Sequence, residues 1–387
     1  MGYTLEDLRA DTPVLRRKVY LNTGTMGAAP QAVTVRFFKS YEQWQIEGAG
    51  WPEAYERRRE GLGSARQAMA LLLGVPQASI GFASNVTQTI NWIAQGLEWH
   101  AGDEVVVGAD EHPANRYPWR ALEATGRIRV IPWRMAERDE DLLADLRRLI
   151  GGRTRLVAVS HVLQTNGRVL PAREIAELCR GRGVYSLIDG AQALGQVPVD
   201  LAQIDPDFYP FSGHKWLLGP VGTSVIYIRP DRLAETGLLP AGSGSAEHDL
   251  AGRAQPDVPW RHEARRFEVG TLNWPLFEGL EAAIALRSEI GSSAIEAHQR
   301  RLLDAFVDGL PSGVELVGVP HRAAMCTVRF PGGPEDALTR LASEHRVIAR
   351  RVGELAPPGV RFSFGPYNNL DDVAAAHRAL ATLAAGV

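Results

Sequence analysis

One apolar run ends in an acid, and this feature constrains the fold more than any other in the chain. The run is Gly183-Val184-Tyr185-Ser186-Leu187-Ile188-Asp189-Gly190-Ala191-Gln192. A short, partly β-branched stretch between glycines reads as a strand buried on both faces, as in a parallel sheet covered by helices. Open α/β sheets bind ligands outside the carboxyl ends of their strands, and Asp189 falls at such an end. An isolated Asp there also serves as a cap on the following helix, so its meaning depends on its company. Similar runs occur at Ile80-Gly81-Phe82-Ala83, Glu104-Val105-Val106-Val107-Gly108 and Arg155-Leu156-Val157-Ala158-Val159-Ser160-His161-Val162. A last run, Gly222-Thr223-Ser224-Val225-Ile226-Tyr227-Ile228, reads as the strand that closes the sheet. The expected class is α/β.

The second feature is Tyr209-Pro210-Phe211-Ser212-Gly213-His214-Lys215-Trp216-Leu217-Leu218-Gly219-Pro220. Most lysines lie on solvated faces, and a long amine among apolar residues often snorkels outward. Lys215 has aromatic and aliphatic neighbours, and an amine that loses hydration has a lowered pKa. Such an amine is a nucleophile able to form a Schiff base. A carboxylate and a lysine on successive strand ends can then do one joint job. The acid pairs with a protonated pyridine nitrogen while the amine holds the same ring's aldehyde as an imine.

Ser212-Gly213-His214-Lys215 together with Asp189-Gly190-Ala191-Gln192 resembles the class V aminotransferase-like branch of fold-type I pyridoxal 5'-phosphate (PLP) enzymes. That branch includes cysteine desulfurases, cystine C–S lyases, isopenicillin N epimerase and kynureninase. The likeness runs from Tyr20 to about Asp372 and rests on the order and spacing of short motifs. It implies a large domain with a mostly parallel seven-stranded sheet and a smaller α+β carboxy-terminal domain. The expected boundaries are 20–262 for the large PLP-binding domain, with 1–19 and 263–387 forming the small one.

The resemblance also assigns residues. Lys215, His112 and Asp189 are the expected catalytic groups, and His112 is expected to stack on the pyridine ring. In Ser84-Asn85-Val86-Thr87-Gln88-Thr89-Ile90 a strand gives way to polar residues and then to apolar ones at helical spacing. A helix end there suits a phosphate, although an ordinary N-cap uses the same residue types. The family's phosphate turn points to Thr87 and Gln88, with Gln192, Ser212 and His214 completing the cofactor site. Thr271, in Arg266-Phe267-Glu268-Val269-Gly270-Thr271, would reach a partner subunit's phosphate and so implies a homodimer with shared sites; a simple turn is the other reading.

Substrate contacts follow in the same way. Arg361 lies in the apolar pattern Val360-Arg361-Phe362-Ser363, and a buried guanidinium suits a substrate α-carboxylate bidentately. Gln164 is the expected amide near that carboxylate, with Asn166 as the fallback. The loop Thr23-Gly24-Thr25-Met26-Gly27 is either a plain turn or a wall of the substrate pocket. His161 is expected to be a packed structural residue.

At 387 residues the chain has length for roughly two or three domains. A net charge of −3 gives no basic surface for nucleic acid and no polybasic membrane patch. Cys179 and Cys326 are the only cysteines, which excludes a disulfide framework and a C-x-x-C metal site; no metal is expected. No basic-then-apolar leader or membrane-length apolar run is evident, so a cytoplasmic protein is expected. Residues 31–73 read as helical, and the Gly-, Ser- and Pro-rich residues 241–260 as a mobile loop.

Desulfurases of the family carry a mobile cysteine upstream of the segment matching Val360-Arg361. Here Arg350-Arg351-Val352-Gly353-Glu354-Leu355-Ala356-Pro357-Pro358-Gly359 contains none. The resemblance therefore implies a small amino-acid substrate and, first, β-elimination (C–S lysis) of a cysteine-derived amino acid through a Lys215 aldimine. Epimerisation is the second expectation and transamination the third. A nicotinamide enzyme would need a phosphate fingerprint, which is missing. A scaffold without catalysis would have no need of the intact Lys215, Asp189, His112 and Arg361 set.

Overall fold

A computed structural model describes residues 2–48, 50, 52–235, 241–246, 260–318, 322–330 and 333–385. Its centre is a seven-stranded sheet in the order Ile80–Ala83, Ser224–Ile228, Phe208–Ser212, Tyr185–Asp189, Thr154–Ser160, Asp103–Gly108, Ile128–Trp133. Ser224–Ile228 runs antiparallel to both neighbours, and the remaining pairings are parallel. This strand lies inside the sheet rather than closing it. The connection over 213–223 is too short for a parallel crossover, which needs about a dozen residues or more. The chain therefore turns back on itself, and Ile80–Ala83 takes the edge.

Both faces of the sheet are buried, as the unbroken apolar runs require. Leu187, Phe208, Ile226 and Ile228 point into a core with Ile90, Ile93 and Trp119. Their alternates Ile188, Tyr209, Phe211, Val225 and Tyr227 point into a second core with Leu62, Met69 and Leu73. Phe82 stacks on Phe277 there with ring centroids 4.3 Å apart. Phe82→Ala would cost about 3–5 kcal/mol through the lost burial and the cavity left behind.

The helical stretch 31–73 is two helices, Gln31–Glu47 and Pro52–Leu73, the second opening on a proline whose missing N–H is not needed there. Helix Trp274–Ile290 contributes Trp274, Phe277, Leu280 and Ile284 to the core that holds Leu62 and Phe82. Near the amino terminus, helix Leu5–Ala10 carries a capping box between Thr4 and Asp7.

A four-stranded antiparallel sheet lies in the carboxy-terminal part, ordered Arg350–Val352, Gly359–Ser363, Met325–Arg329, Glu315–Val317. Helices Ser292–Asp308, Pro334–Ser343 and Leu370–Ala385 cover it, with Leu302, Phe306, Cys326, Phe362 and Leu380 in their common core. Leu21 joins that core, and Val19–Tyr20 pairs in parallel with Val347–Ile348. The first strand of the chain thus ties the loop after it to the smaller sheet. Of the expected mobile loop 241–260, residues 247–259 lie outside the described residues.

Candidate active site

Strand ends and one helix end converge on a cavity of about 250 Å³. Ser160, Asp189 and Ser212 close their strands at it, and Val86 and Thr87 open helix Val86–Gly96 beside them. That helix buries Val86, Thr89, Ile90, Ile93 and Ala94 on one stripe, which leaves its amino end aimed at the cavity. Gly24 and Thr25 form another wall, so the Thr23–Gly27 loop is both a turn and a pocket wall. Within the turn, the N–H groups of Thr25 and Met26 donate to the Asn22 carbonyl at 3.0 and 3.2 Å.

Lys215 sits in a loop closed on itself. The Gly213 N–H donates to Thr223 O at 3.0 Å and the Gly219 N–H to Gly213 O at 2.9 Å. Gly27 packs on this loop, donating to His214 O at 2.8 Å, and a Cβ at position 27 would lie 2.0 Å from the Lys215 carbonyl oxygen. Only glycine permits that approach. Lys215 opens partly onto the cavity, yet protein encloses its amine, and the enclosure decides its titration. Burial brings the ammonium down to about 8, Asp189 opposes the change, and Arg361 and Arg350 add to it.

Asp189 is buried, and its Oδ1 accepts the Ala191 N–H at 2.8 Å. Burial raises its carboxyl pKa, while the Ala191 bond and Lys215 lower it. His112 begins the turn Pro113–Asn115, and its Nδ1 accepts the Ala114 N–H at 3.1 Å. That bond assigns the ring proton to Nε2. Burial, then Lys215 and Arg350, bring His112 to about 4, so a neutral imidazole faces the cavity at neutral pH.

The amide of Gln192 is engaged at both its nitrogen and its oxygen, donating to Gly24 O at 2.7 Å and accepting from Trp216 Nε1 at 2.9 Å. It lines the cavity and ties the Thr23–Gly27 loop to the Lys215 loop. Ser212 and His214 line the cavity too, and His214 Nδ1 is buried with no hydrogen-bond partner among the described residues. His161 is a packed residue, with Nδ1 2.8 Å from the Tyr209 hydroxyl and burial holding it near 4.

Arg361 is wholly buried on Gly359–Ser363. It donates to Gln164 O and Thr25 Oγ1, each at 3.0 Å, and its Nε has no partner. No ion pair engages it among the described residues. Burial, followed by Arg350, lowers it to about 9. Gln164 lines the cavity, accepting from Arg350 Nη1 at 2.9 Å and donating to Glu354 at 3.1 Å.

The structure does not bring every expected residue to the cavity. Asn166 turns away: its Oδ1 accepts the Arg168 N–H at 3.0 Å and its amide packs under Gly318. The Gln88 side chain accepts the Ser84 N–H at 3.0 Å, while the Asn85 side chain accepts the Gln88 N–H at 2.9 Å. Asn85 and Gln88 therefore cap the helix, and Thr87 is left facing the cavity. Thr271 is exposed and lies outside the cavity wall. Sequence reasoning missed Arg350, Glu354 and Glu111. An acid at a strand end beside His112 was a readable signal for Glu111. Arg350 enters through its pairing with Arg361 across the small sheet, which no local pattern announces.

The donor set suits a phosphorylated pyridine aldehyde. First-turn N–H groups of a helix lack intrahelical partners and sit at its positive end, and the first-turn residues Val86 and Thr87 line the cavity. His214 offers an orphaned ring nitrogen, Lys215 an amine for the aldehyde, and Asp189 a carboxylate for the ring nitrogen. An amine, an acid and an anion-binding helix end at the carboxyl edge of this sheet define a PLP-dependent enzyme of fold type I. The chain belongs to the class V aminotransferase family, whose model matches residues 19–375. Its cofactor is PLP.

Among curated relatives, a probable cysteine desulfurase of Methanothermobacter thermautotrophicus is 34% identical over 326 residues, 82% of this chain and 78% of that protein. Isopenicillin N epimerase of Streptomyces clavuligerus is 31% identical over 361 residues, 88% of each. Among solved structures, the cystine C–S lyase C-DES in complex with its reaction product cysteine persulfide superposes with a TM-score of 0.90. That match has 28% identity and covers 96% of this chain and 99% of the other. The protein is thus a PLP-dependent class V enzyme similar to cysteine desulfurases and C–S lyases.

Proposed function

We propose that the protein is a C–S lyase that carries out β-elimination on a cysteine-derived amino acid. The observation that carries this reading is the place of its two thiols. Cys179 and Cys326 are buried in separate apolar cores, and neither lines the cavity. Burial pushes Cys326 up to about 12 and Cys179 higher still. Accepting sulfur as an enzyme persulfide needs an accessible thiolate, and neither cysteine supplies one.

In this reading Lys215 would hold the cofactor through its aldehyde, and Asp189 would keep the ring nitrogen protonated. His112 would face the ring as a neutral imidazole, and Gln192 would hold the opposite loop in place. Thr87, Ser212 and His214 would hold the phosphate, with Gln88 fixing the turn. Arg361 binds the substrate α-carboxylate, the anion it otherwise lacks, and Gln164 positions its guanidinium through the backbone carbonyl. Bound PLP supplies an electron sink at Cα. Once the substrate amine had replaced it on the aldehyde, the freed Lys215 amine would take the Cα proton, and the C–S electron pair would leave with sulfur as a thiolate or persulfide. Pyruvate and ammonia follow on hydrolysis. Likeness to a cystine C–S lyase supports this choice.

Incubation with cystine and S-substituted cysteines tests it: pyruvate released with a thiol or persulfide is expected. Deuterium entering Cα without pyruvate would reject lysis for epimerisation, the second reading, which 31% identity to isopenicillin N epimerase favours. A pyridoxamine spectrum would indicate transamination instead.

A cytoplasmic homodimer with shared sites is part of the proposal. Phe38, Ile46 and Tyr55 are 60%, 73% and 57% exposed on the helices Gln31–Glu47 and Pro52–Leu73, apolar surface that a second copy would cover. Thr271, also exposed, would meet the partner's phosphate. Light scattering on the eluting protein is expected to give twice the mass of one 42.3 kDa chain, and a single-chain mass would exclude the arrangement.

A further inference from the structure

Glu111 is a buried acid that the mechanism above does not use. It is 1% exposed and immediately precedes His112. Its Oε1 accepts the Ser160 N–H at 2.6 Å, and its Oε2 meets the Ser160 hydroxyl at 2.6 Å and Asn115 Nδ2 at 2.9 Å. Asn115 is held in turn by Trp119 Nε1 at 3.3 Å. Gly108 leaves room for the carboxyl, since a Cβ there would stand 2.9 Å from Oε1. Ser160 itself lines the cavity and is the register partner of Asp189 on the adjoining strand.

We infer that Glu111 is a positioning residue that locks the His112 side of the pocket to the Asp189 side through Ser160, and that its charge state tunes the cofactor's ring nitrogen. The inference rests on Lys215 carrying the cofactor and Asp189 facing that nitrogen. A single carboxyl holds both the backbone and the side chain at the end of the Asp189-neighbouring strand, from the residue next to His112. Its displacement therefore moves two cofactor contacts at once.

The electrostatics agree with this geometry. No ion pair engages Glu111 among the described residues. Of the elements around it, the Thr154–Ser160 strand offers the Ser160 bonds and the following turn offers Asn115. The Tyr185–Asp189 strand offers the one charged group that bears on it, Asp189. Lys215 bears on Asp189 instead. Burial pushes Glu111 up to about 7, Asp189 pushes the same way, and the Ser160 and Asn115 bonds pull down. When ionised, Glu111 adds a second negative charge beside Asp189 and favours the proton on the ring nitrogen. When neutral, it leaves Asp189 alone.

The test compares PLP-loaded wild type with Glu111→Gln, a neutral variant of the same shape, by titrating the visible absorbance of the bound cofactor. Loss of a nearby negative charge is expected to lower the midpoint of that titration by about one pH unit. A midpoint equal to wild type overturns the inference while leaving the Lys215 reading standing. A wild-type protein that stays colourless with PLP overturns both. Infrared titration of the cofactor-free protein gives a separate readout: wild type should show a buried carboxyl band that vanishes near pH 7, absent in Glu111→Gln. Ser160→Ala removes a bond that pulls the Glu111 pKa down, so that band should persist to higher pH. If Glu111→Gln does not fold, an unmoved band in Ser160→Ala overturns the inference.

Discussion

Replacing Arg361 by methionine should separate function from stability, because the two effects have opposite origins. Arg361 is 0% exposed, and burial brings it down to about 9. That is more than three pH units below a free guanidinium, which at about 1.4 kcal/mol per unit amounts to roughly 5 kcal/mol of folding penalty near neutral pH. Its folded pKa lies below its unfolded one, so the penalty is fully present at pH 7 and fades only as pH rises through about 9 toward the unfolded value. Arg361→Met removes that penalty but strands Gln164 O and Thr25 Oγ1, at about 1–3 kcal/mol each.

The two terms nearly cancel, so thermal unfolding of the cofactor-free variant should stay within about 2 kcal/mol of wild type. Substrate loses its carboxylate partner outright, at about 2–5 kcal/mol, which lowers kcat/KM by roughly 30- to several-thousand-fold. Arg66 provides the contrast. It is also buried, but it pairs with Glu268 at 2.8 Å and with Ile80 O at 2.6 Å. Breaking a buried pair leaves an uncompensated charge and costs about 3–5 kcal/mol, so Arg66→Met should unfold at clearly lower temperature. If Arg361→Met instead unfolds early and keeps its kcat/KM, Arg361 is a structural cation and its assigned role is wrong.

Gly27→Ala should destabilise the protein by about 1–3 kcal/mol in denaturant melts and weaken PLP binding, since the new Cβ meets the Lys215 carbonyl oxygen at 2.0 Å; unchanged PLP affinity would remove that wall from the site. With Lys215 near 8, only its free-amine form attacks an aldehyde. PLP uptake by the apoprotein should therefore rise about tenfold per pH unit below pH 8 and level off above it in stopped-flow traces; a flat profile from pH 6 to 9 would contradict this. Replacing Cys179 and Cys326 together by alanine should leave pyruvate formation in place, because neither thiol reaches the cavity; its loss in a folded variant would restore a persulfide route.

What could be read from the sequence was local. Asp189 and Lys215 were legible because each sits within two or three residues of a strand end, where the apolar run and the glycine after it fix the geometry. The helix end at Val86–Thr87 was legible for the same reason. Choosing between Gln164 and Asn166 required the turn itself, in which the Leu163 N–H donates to Arg168 O at 2.9 Å and the Gly167 N–H to Leu163 O at 2.8 Å. Two amides only two residues apart then point to different sides. Strand order was likewise hidden: nothing in Ser224–Ile228 says that Ile80–Ala83 will pair outside it. Arg350 and Glu354 reach Gln164 only through pairing across the small sheet, a contact between distant parts of the chain. Glu111 was passed over because His112 drew the chemistry and its bonds to Ser160 join distant parts of the chain.

The chain contains only three lysines, Lys18, Lys39 and Lys215, so the covalent claim can be tested at one residue. Borohydride reduction of the PLP-loaded protein, followed by peptide mass spectrometry, should place the pyridoxyl group on the peptide holding Lys215 and on neither of the others. A label on Lys18 or Lys39, or no label on a protein that has taken up PLP, would contradict the account.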